Sequence, residues 1–315
     1  MRGGAWVRWG ISAGVVGVVM WRVPMPALRS AFGAVDARWF VLALGCVLAM
    51  LTARWIRWHR LLVAGGVKVS HRDSAQSLLG GFTLSVVTPG RIGEWGRCLF
   101  AAPSDRPAVL LLNIFDRLLD IWALGSWAVI GAFAVAPRPY GVFALGVWLA
   151  FLPVAMSLPG LVGSLAHLSW WKNDFREKLR DAARVTEKIP TAPFAAWALV
   201  STSLDMLTFY FLLCAFQSVP LTAALATFPW IVMAGGLPIS VGGIGPREGV
   251  AALLLARYAV PSAVACDAGL LIFVFSALLP ALVGGAWLAV SNPQITQLTQ
   301  IHGPRNSTQR QKKPG

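Results

Sequence analysis

Charge is scarce in this sequence, and negative charge most of all. Only 13 Asp and Glu stand among 315 residues, and charged residues together make up 13% of the chain. Soluble domains carry about 25%, so a water-soluble globular fold is excluded. Cysteine and histidine are also sparse, at four each. Cys46, Cys98, Cys214 and Cys266 lie far apart in apolar runs. They lack the spacing of a disulfide framework or a metal site and read as small packing residues. The His are scattered, so no metal centre is expected, nor is any cofactor.

Apolar residues are what the chain has in quantity, at 57% with a mean hydropathy of +0.65. At roughly 20 apolar residues per crossing, the pattern predicts an all-α polytopic membrane protein. It has about six spanning helices plus two re-entrant hairpins in an inverted repeat. The net charge of +14 does not point to nucleic acid, because no basic stretch has a folded soluble context. Most Lys and Arg instead fall in a few connecting segments, the pattern of cytoplasmic loops, where they can touch anionic lipid.

Crossings are predicted at about 5–23, 39–63, 107–136, 140–158, 193–216 and 262–290. The first has an apolar centre, Ile11–Met20, of signal-peptide length, so a spanning anchor and a cleaved segment both stay open. Arg54, Arg57, His59 and Arg60, with Lys68, His71 and Arg72 beyond them, fix the end of the second crossing in the cytoplasm. Arg54 and Arg57 are read there as interfacial anchors and topology signals, the alternative being substrate ligands. Segment 167–190 interleaves opposite charges at helical spacing and predicts an amphipathic helix on the cytoplasmic surface. The basic tail, 291–315, reads as disordered. The expected organisation is one transmembrane domain over 1–290, in the cell inner membrane, with both termini cytoplasmic.

Two stretches break the apolar pattern in similar ways. Thr88–Arg97 reads TPGRIGEWGR and Val241–Val250 reads VGGIGPREGV. Each puts Gly and Pro before an Arg and a Glu. Paired Gly/Pro-interrupted segments in the two halves of a chain mark the binding site of inverted-repeat transporters. Segment 74–101 is expected to form the first hairpin, because about 14 apolar residues before Pro89 are too few to span. Segment 221–258 is expected to form the second. Units 39–136 and 193–290 are separated by one crossing, so the hairpins enter from opposite faces.

The candidate ligands follow from cost. A charge at the bilayer centre costs about 2.5–3.5 kcal/mol on insertion scales, so such groups face a cavity and have partners. Arg91, Glu94 and Arg97 would share a helical face, the two Arg holding a phosphate bidentately and Glu94 orienting one of them or taking a proton. The alternative is an ordinary loop with solvated charges. Gly242, Gly243 and Gly245 beside Arg247 and Glu248 could present backbone N–H groups to an anion; the alternative is a flexible external loop. Asn113, Asp116 and Asp120 lie on one helical face with Arg117 beside them, as a cavity wall or proton relay, or else as a structural ion-pair network. Asp205 and Asp267 are lone intramembrane acids, and Asp205, with Glu94, is a candidate for proton coupling.

PGRIGEWGR, the DRLLD of Asp116–Asp120 and GGIGPREG occur in the order and at distances that resemble the flippase-like transmembrane region of the lysylphosphatidylglycerol synthetase family, over about 38–290. The resemblance implies movement of anionic or aminoacylated lipids between leaflets. It assigns Arg91, Glu94 and Arg97 to the first hairpin, Asp116, Arg117 and Asp120 to a neighbouring helix, and Arg247 and Glu248 to the second hairpin. No synthetase domain follows residue 315, so lipid aminoacylation is not expected and the chain is read as a non-enzyme.

The resulting expectation is a lipid transporter that binds an anionic headgroup at a midplane site. The headgroup could belong to a phospholipid, an aminoacyl- or glycolipid, or a polyprenyl phosphate. One alternative is an integral-membrane phosphatase or transferase acting on polyprenyl phosphate, although neither motif offers the Ser or His nucleophile such chemistry uses. Another is an accessory subunit of a lipid or glycan synthesis complex. Membrane lipids are the expected partners; a homo-oligomer, or a complex with a biosynthetic enzyme, is left open.

Overall fold

The computed structural model describes residues 36–88, 92–101, 105–135, 138–139, 141–150, 177, 180–181, 183–184, 186–236 and 245–291. The expected crossing at 5–23 and the tail from 292 lie outside these residues, as do much of 140–158 and most of the 167–190 linker. The described residues form helices, and none forms a strand. Three helices, Ala37–Ala64, Thr191–Phe216 and Ser262–Leu288, are long and apolar enough to cross a membrane.

Helix α1 (Ala37–Ala64) starts at Asp36, whose carboxylate accepts from the Arg38 N–H at 2.9 Å, a standard N-cap. It stops at Gly65, and Gly66 turns the chain with φ of +77°. Helix α2 (His71–Val87) begins three residues earlier than the apolar run suggests, because Ser70 accepts from the Asp73 N–H and caps it. At its far end Thr88 donates to the Leu84 carbonyl and accepts from the Gly93 N–H. The chain then returns along α2 as a 3-10 helix, Ile92–Phe100. Return is possible because glycine faces α2: a Cβ on Gly93 would lie 2.2 Å from the Leu84 carbonyl carbon.

Helix α3 (Arg106–Val135) follows, then the short α4 (Gly141–Ala150) and α5 (Thr191–Phe216). Helix α6 (Leu221–Gly235) and α7 (Pro246–Leu255) form a second antiparallel pair, tied at its base where the Tyr258 hydroxyl donates to the Thr222 carbonyl. Helices α8 (Ser262–Phe273) and α9 (Leu279–Ser291) are joined by a π turn, Val274–Leu278. Pro280 explains the turn. It has no N–H for the carbonyl four residues back and its ring crowds that carbonyl, so the helix widens just before it.

Helices α1 and α5 run antiparallel. The Asp36 N–H donates to Ala215 O at one end, and Arg60 lies over the Trp197 ring at the other. Since α2 follows the end of α1 and α6 follows the end of α5, the two hairpins start from opposite ends of the molecule. They also pack across to the other half. Helix α2 lies on α9, where Thr83 donates to Ala281 O and a Cβ on Gly284 would lie 2.4 Å from the Leu79 carbonyl oxygen. Helix α6 lies on α3, where a Cβ on Gly131 would lie 2.4 Å from the Leu225 carbonyl oxygen. That carbonyl has no helical donor, because position 229 is proline.

Candidate functional site

The charged residues of the first hairpin and of α3 meet α1 in one buried cluster. Three residues per turn in the 3-10 segment put Glu94 and Arg97 on one stripe, and this stripe faces α3. Arg97, 1% exposed, donates from Nη1 to Asp116 Oδ2 at 2.9 Å and has Glu94 at 3.8 Å. Its guanidinium lies 5.0 Å over the Trp58 ring, a cation–π contact worth about 2 kcal/mol when desolvated. Asn113 donates to the Glu94 carbonyl oxygen at 2.9 Å, which fixes the segment against α3. Ser77 of α2 donates to the Arg97 carbonyl.

Arg117 is the hub. Its Nη1 donates to Glu94, and its Nη2 reaches Asp116 Oδ2 at 3.1 Å and Asp120 Oδ2 at 2.8 Å. Arg57 completes the cluster from α1, with Nε 2.8 Å from Asp116 Oδ1 and Nη2 2.6 Å from Asp120 Oδ1. Arg57, Arg97 and Arg117 thus meet Glu94, Asp116 and Asp120. Only Arg117 and Asp120 keep appreciable exposure, at 21% and 17% of their side chains. Arg117 lies roughly 16 Å along α3 from Arg106, at 1.5 Å per residue, near the middle of a 30-residue helix.

The expectation that Arg54 and Arg57 are interfacial anchors is corrected here. Arg57 is 1% exposed and ion-paired on two sides, and Arg54 pairs with Asp205 of α5 at 3.2 Å. Position in a basic run resembles a topology signal, but the partners lie about 60 and 150 residues away in sequence, beyond the reach of local pattern. The one available signal was arithmetic: carboxylates inside apolar helices need cations, and these Arg are the nearest on a neighbouring helix.

In the second hairpin Arg247 is buried, at 4% exposure. Its guanidinium packs on the Phe273 ring at 5.4 Å and against Gly235, where a Cβ would lie 2.7 Å from Nη2. Glu248 accepts from the Gly245 N–H at 2.6 Å and so caps α7. Gly245 has φ of +102°, a conformation glycine adopts without strain. Asp267 is partly buried on α8. Arg91, Gly242 and Gly243 lie outside the described residues, so the described part of the site is the Arg57–Asp120 cluster and the Arg247–Glu248 turn.

A family model described as the lysylphosphatidylglycerol synthase TM region matches residues 5–284. A search of curated proteins gives no match.

Proposed function

The chain belongs to the lysylphosphatidylglycerol synthase TM-region family, and from that membership we propose that it moves a phosphate-bearing membrane lipid between leaflets. It does so without chemical conversion of the lipid. The headgroup is received between two re-entrant hairpins of an inverted repeat, α2 with the 3-10 segment and α6 with α7, while the acyl chains stay in the bilayer. The protein sits in the cell inner membrane with both termini in the cytoplasm.

The observation that carries this reading is the ionic cluster halfway along α3 in an otherwise apolar helix. Charges at that depth are costly and mark substrate paths. The reciprocal packing of α2 on α9 and of α6 on α3 supports the repeat. Hairpins that start from opposite ends suit alternating exposure of one central site. Arg97, Arg117 and Arg247 supply guanidiniums for phosphate, which they can bond in bidentate fashion. Glu94, Asp116, Asp120 and Glu248 hold those guanidiniums in place. Asp205, paired with Arg54, is the acid placed to exchange a proton as the halves move.

The test is transport by the purified chain in liposomes, read as the fraction of an acyl-chain-labelled phospholipid that dithionite bleaches with time. Wild type is expected to equilibrate the label between leaflets, and Arg247→Gln to slow this at least tenfold. Unchanged leaflet asymmetry with wild type would refute lipid movement. A wild-type rate in Arg247→Gln would remove the second hairpin from the site.

A further inference from the structure

We propose that Arg54 of α1 is a further ligand for the lipid phosphate, and that the Asp205 carboxylate fills the phosphate's place on it as an internal stand-in. This rests on the lipid-moving function proposed above for the source of the phosphate.

Arg54 and Asp205 lie well inside two helices that are long and apolar enough to cross a membrane. At 1.5 Å per residue, Arg54 stands about 15 Å from the end of α1 at Ala64, and Asp205 about 17 Å from the end of α5 at Phe216. Charges at such depth have partners or mark a substrate path. Arg57, one turn away on α1, gives the comparison. It is 1% exposed and holds two carboxylates at 2.8 and 2.6 Å. Arg54 has a single ionic contact, 3.2 Å from Nη2 to Asp205 Oδ2, longer than the roughly 2.7–2.9 Å of a charge-assisted hydrogen bond. Its Nε is buried and has no hydrogen bond among the described residues. The two side chains are 12% and 10% exposed, so this pair can be reached where the Arg57–Asp116 pair cannot.

A guanidinium that meets one oxygen through one nitrogen leaves its planar fork unused. Phosphate can take Nε and Nη2 together in bidentate fashion, where Asp205 takes Nη2 alone. The dependence between the partners is unequal. Among the described residues Asp205 is the ionic partner of Arg54, whereas Asp205 has a further interaction besides Arg54. Asp205 can therefore yield the guanidinium without being left bare. The carboxylate holds Arg54 in position while no headgroup is bound and gives way to the ligand that uses the whole fork. A phosphate on Arg54 would sit one turn of α1 from the Arg57 cluster.

The experiment is isothermal titration of the full chain in non-ionic detergent, with short-chain phosphatidylglycerol and, in parallel, with inorganic phosphate. Asp205→Asn removes the competing carboxylate and is expected to bind the lipid about tenfold more tightly than wild type, the low end for a hydrogen bond to a charged group. Arg54→Lys keeps the charge opposite Asp205 but loses the fork. It is expected to melt within a few degrees of wild type yet bind the lipid at least fivefold more weakly. A pair that serves structure alone would not move affinity in opposite directions.

Unchanged or weaker binding in Asp205→Asn overturns the stand-in, and wild-type affinity in Arg54→Lys overturns the ligand. If Asp205→Asn does not fold, Arg54→Lys decides alone. Inorganic phosphate is expected to bind at least tenfold more weakly than the lipid, and equal affinity would overturn the headgroup as the source. No binding of either compound to wild type overturns the site. Binding in the expected order without loss of leaflet asymmetry in the dithionite assay refutes lipid movement and leaves the phosphate site standing.

Discussion

Arg54 and Arg57 stand one turn apart on α1 and reach to two different helices. Arg54 Nη2 lies 3.2 Å from Asp205 on α5, while Arg57 holds Asp116 and Asp120 on α3 at 2.8 and 2.6 Å. Among the described residues, the Arg54–Asp205 pair thus joins α1 to the second half of the chain, and the Arg57 pairs join it to α3.

The Arg54–Asp205 pair is partly exposed, so its removal should be moderate. Arg54→Gln or Asp205→Asn alone is expected to cost about 1–3 kcal/mol, the range for hydrogen bonds to charged groups. The exchange Arg54→Asp with Asp205→Arg is expected to recover at least half of that. Thermal unfolding in detergent measures both, and an exchange no better than the single changes would disprove the pairing.

Asp116 touches three guanidiniums and is 1% exposed. Asp116→Ala is expected to lose about 3–5 kcal/mol, the cost of leaving buried charge unpaired. Arg57→Met with Asp116→Leu together should cost less than the sum of the single changes, with a coupling of about 1–3 kcal/mol for groups in contact. Additive losses would show that the two do not interact.

Close backbone approach makes a separate prediction about glycine. Gly131→Val and Gly284→Val each force a side chain onto a carbonyl 2.4 Å from Cβ and are expected to destabilise by at least about 1–3 kcal/mol. Gly45 has nothing within 4 Å of such a Cβ. Gly45→Ala should therefore be neutral, or stabilising by up to about 1 kcal/mol through helix propensity. Equal melting temperatures for all three variants would contradict the packing.

Gly235→Ala acts on a side chain rather than on backbone. Its Cβ meets Arg247 Nη2 at 2.7 Å, and the free end of a guanidinium can give way. The variant is expected to melt within a few degrees of wild type yet move lipid several-fold more slowly. A normal rate would show that the position of Arg247 is not critical.

Much of the fold was legible in sequence because punctuation in an apolar chain is strong. The predicted runs 39–63, 107–136 and 193–216 correspond to α1, α3 and α5 within two residues at each end. Pro220 and Pro261 bound the second hairpin where expected. Two local features escaped. The start of α2 depends on the Ser70–Asp73 cap, outside the apolar run used to place it, and the π turn needs Pro280 read as a distortion rather than a stop. At the site, the grouping of Glu94 and Arg97 and the common face of Asn113, Asp116 and Asp120 follow from helical spacing. The partnership of Arg57 with that face does not, since it depends on which helices become neighbours.

The π turn also sets the angular phase of the last helical stretch. Each residue turns an α-helix by about 100°, so a widened turn that accommodates an extra residue rotates everything beyond it. Before the turn, Ala265, Ala268 and Leu271 line the core formed with α5, α6 and α7. Phe273 before the turn, Val274, Ala277 and Leu278 within it, and Ala281 after it line the core formed with α2 and α3. One continuous stretch thus serves two cores on different azimuths. Deleting a single residue between 274 and 278 would keep the helix unbroken while turning Gly284 away from α2, so a shorter chain would be worse aligned at every later contact.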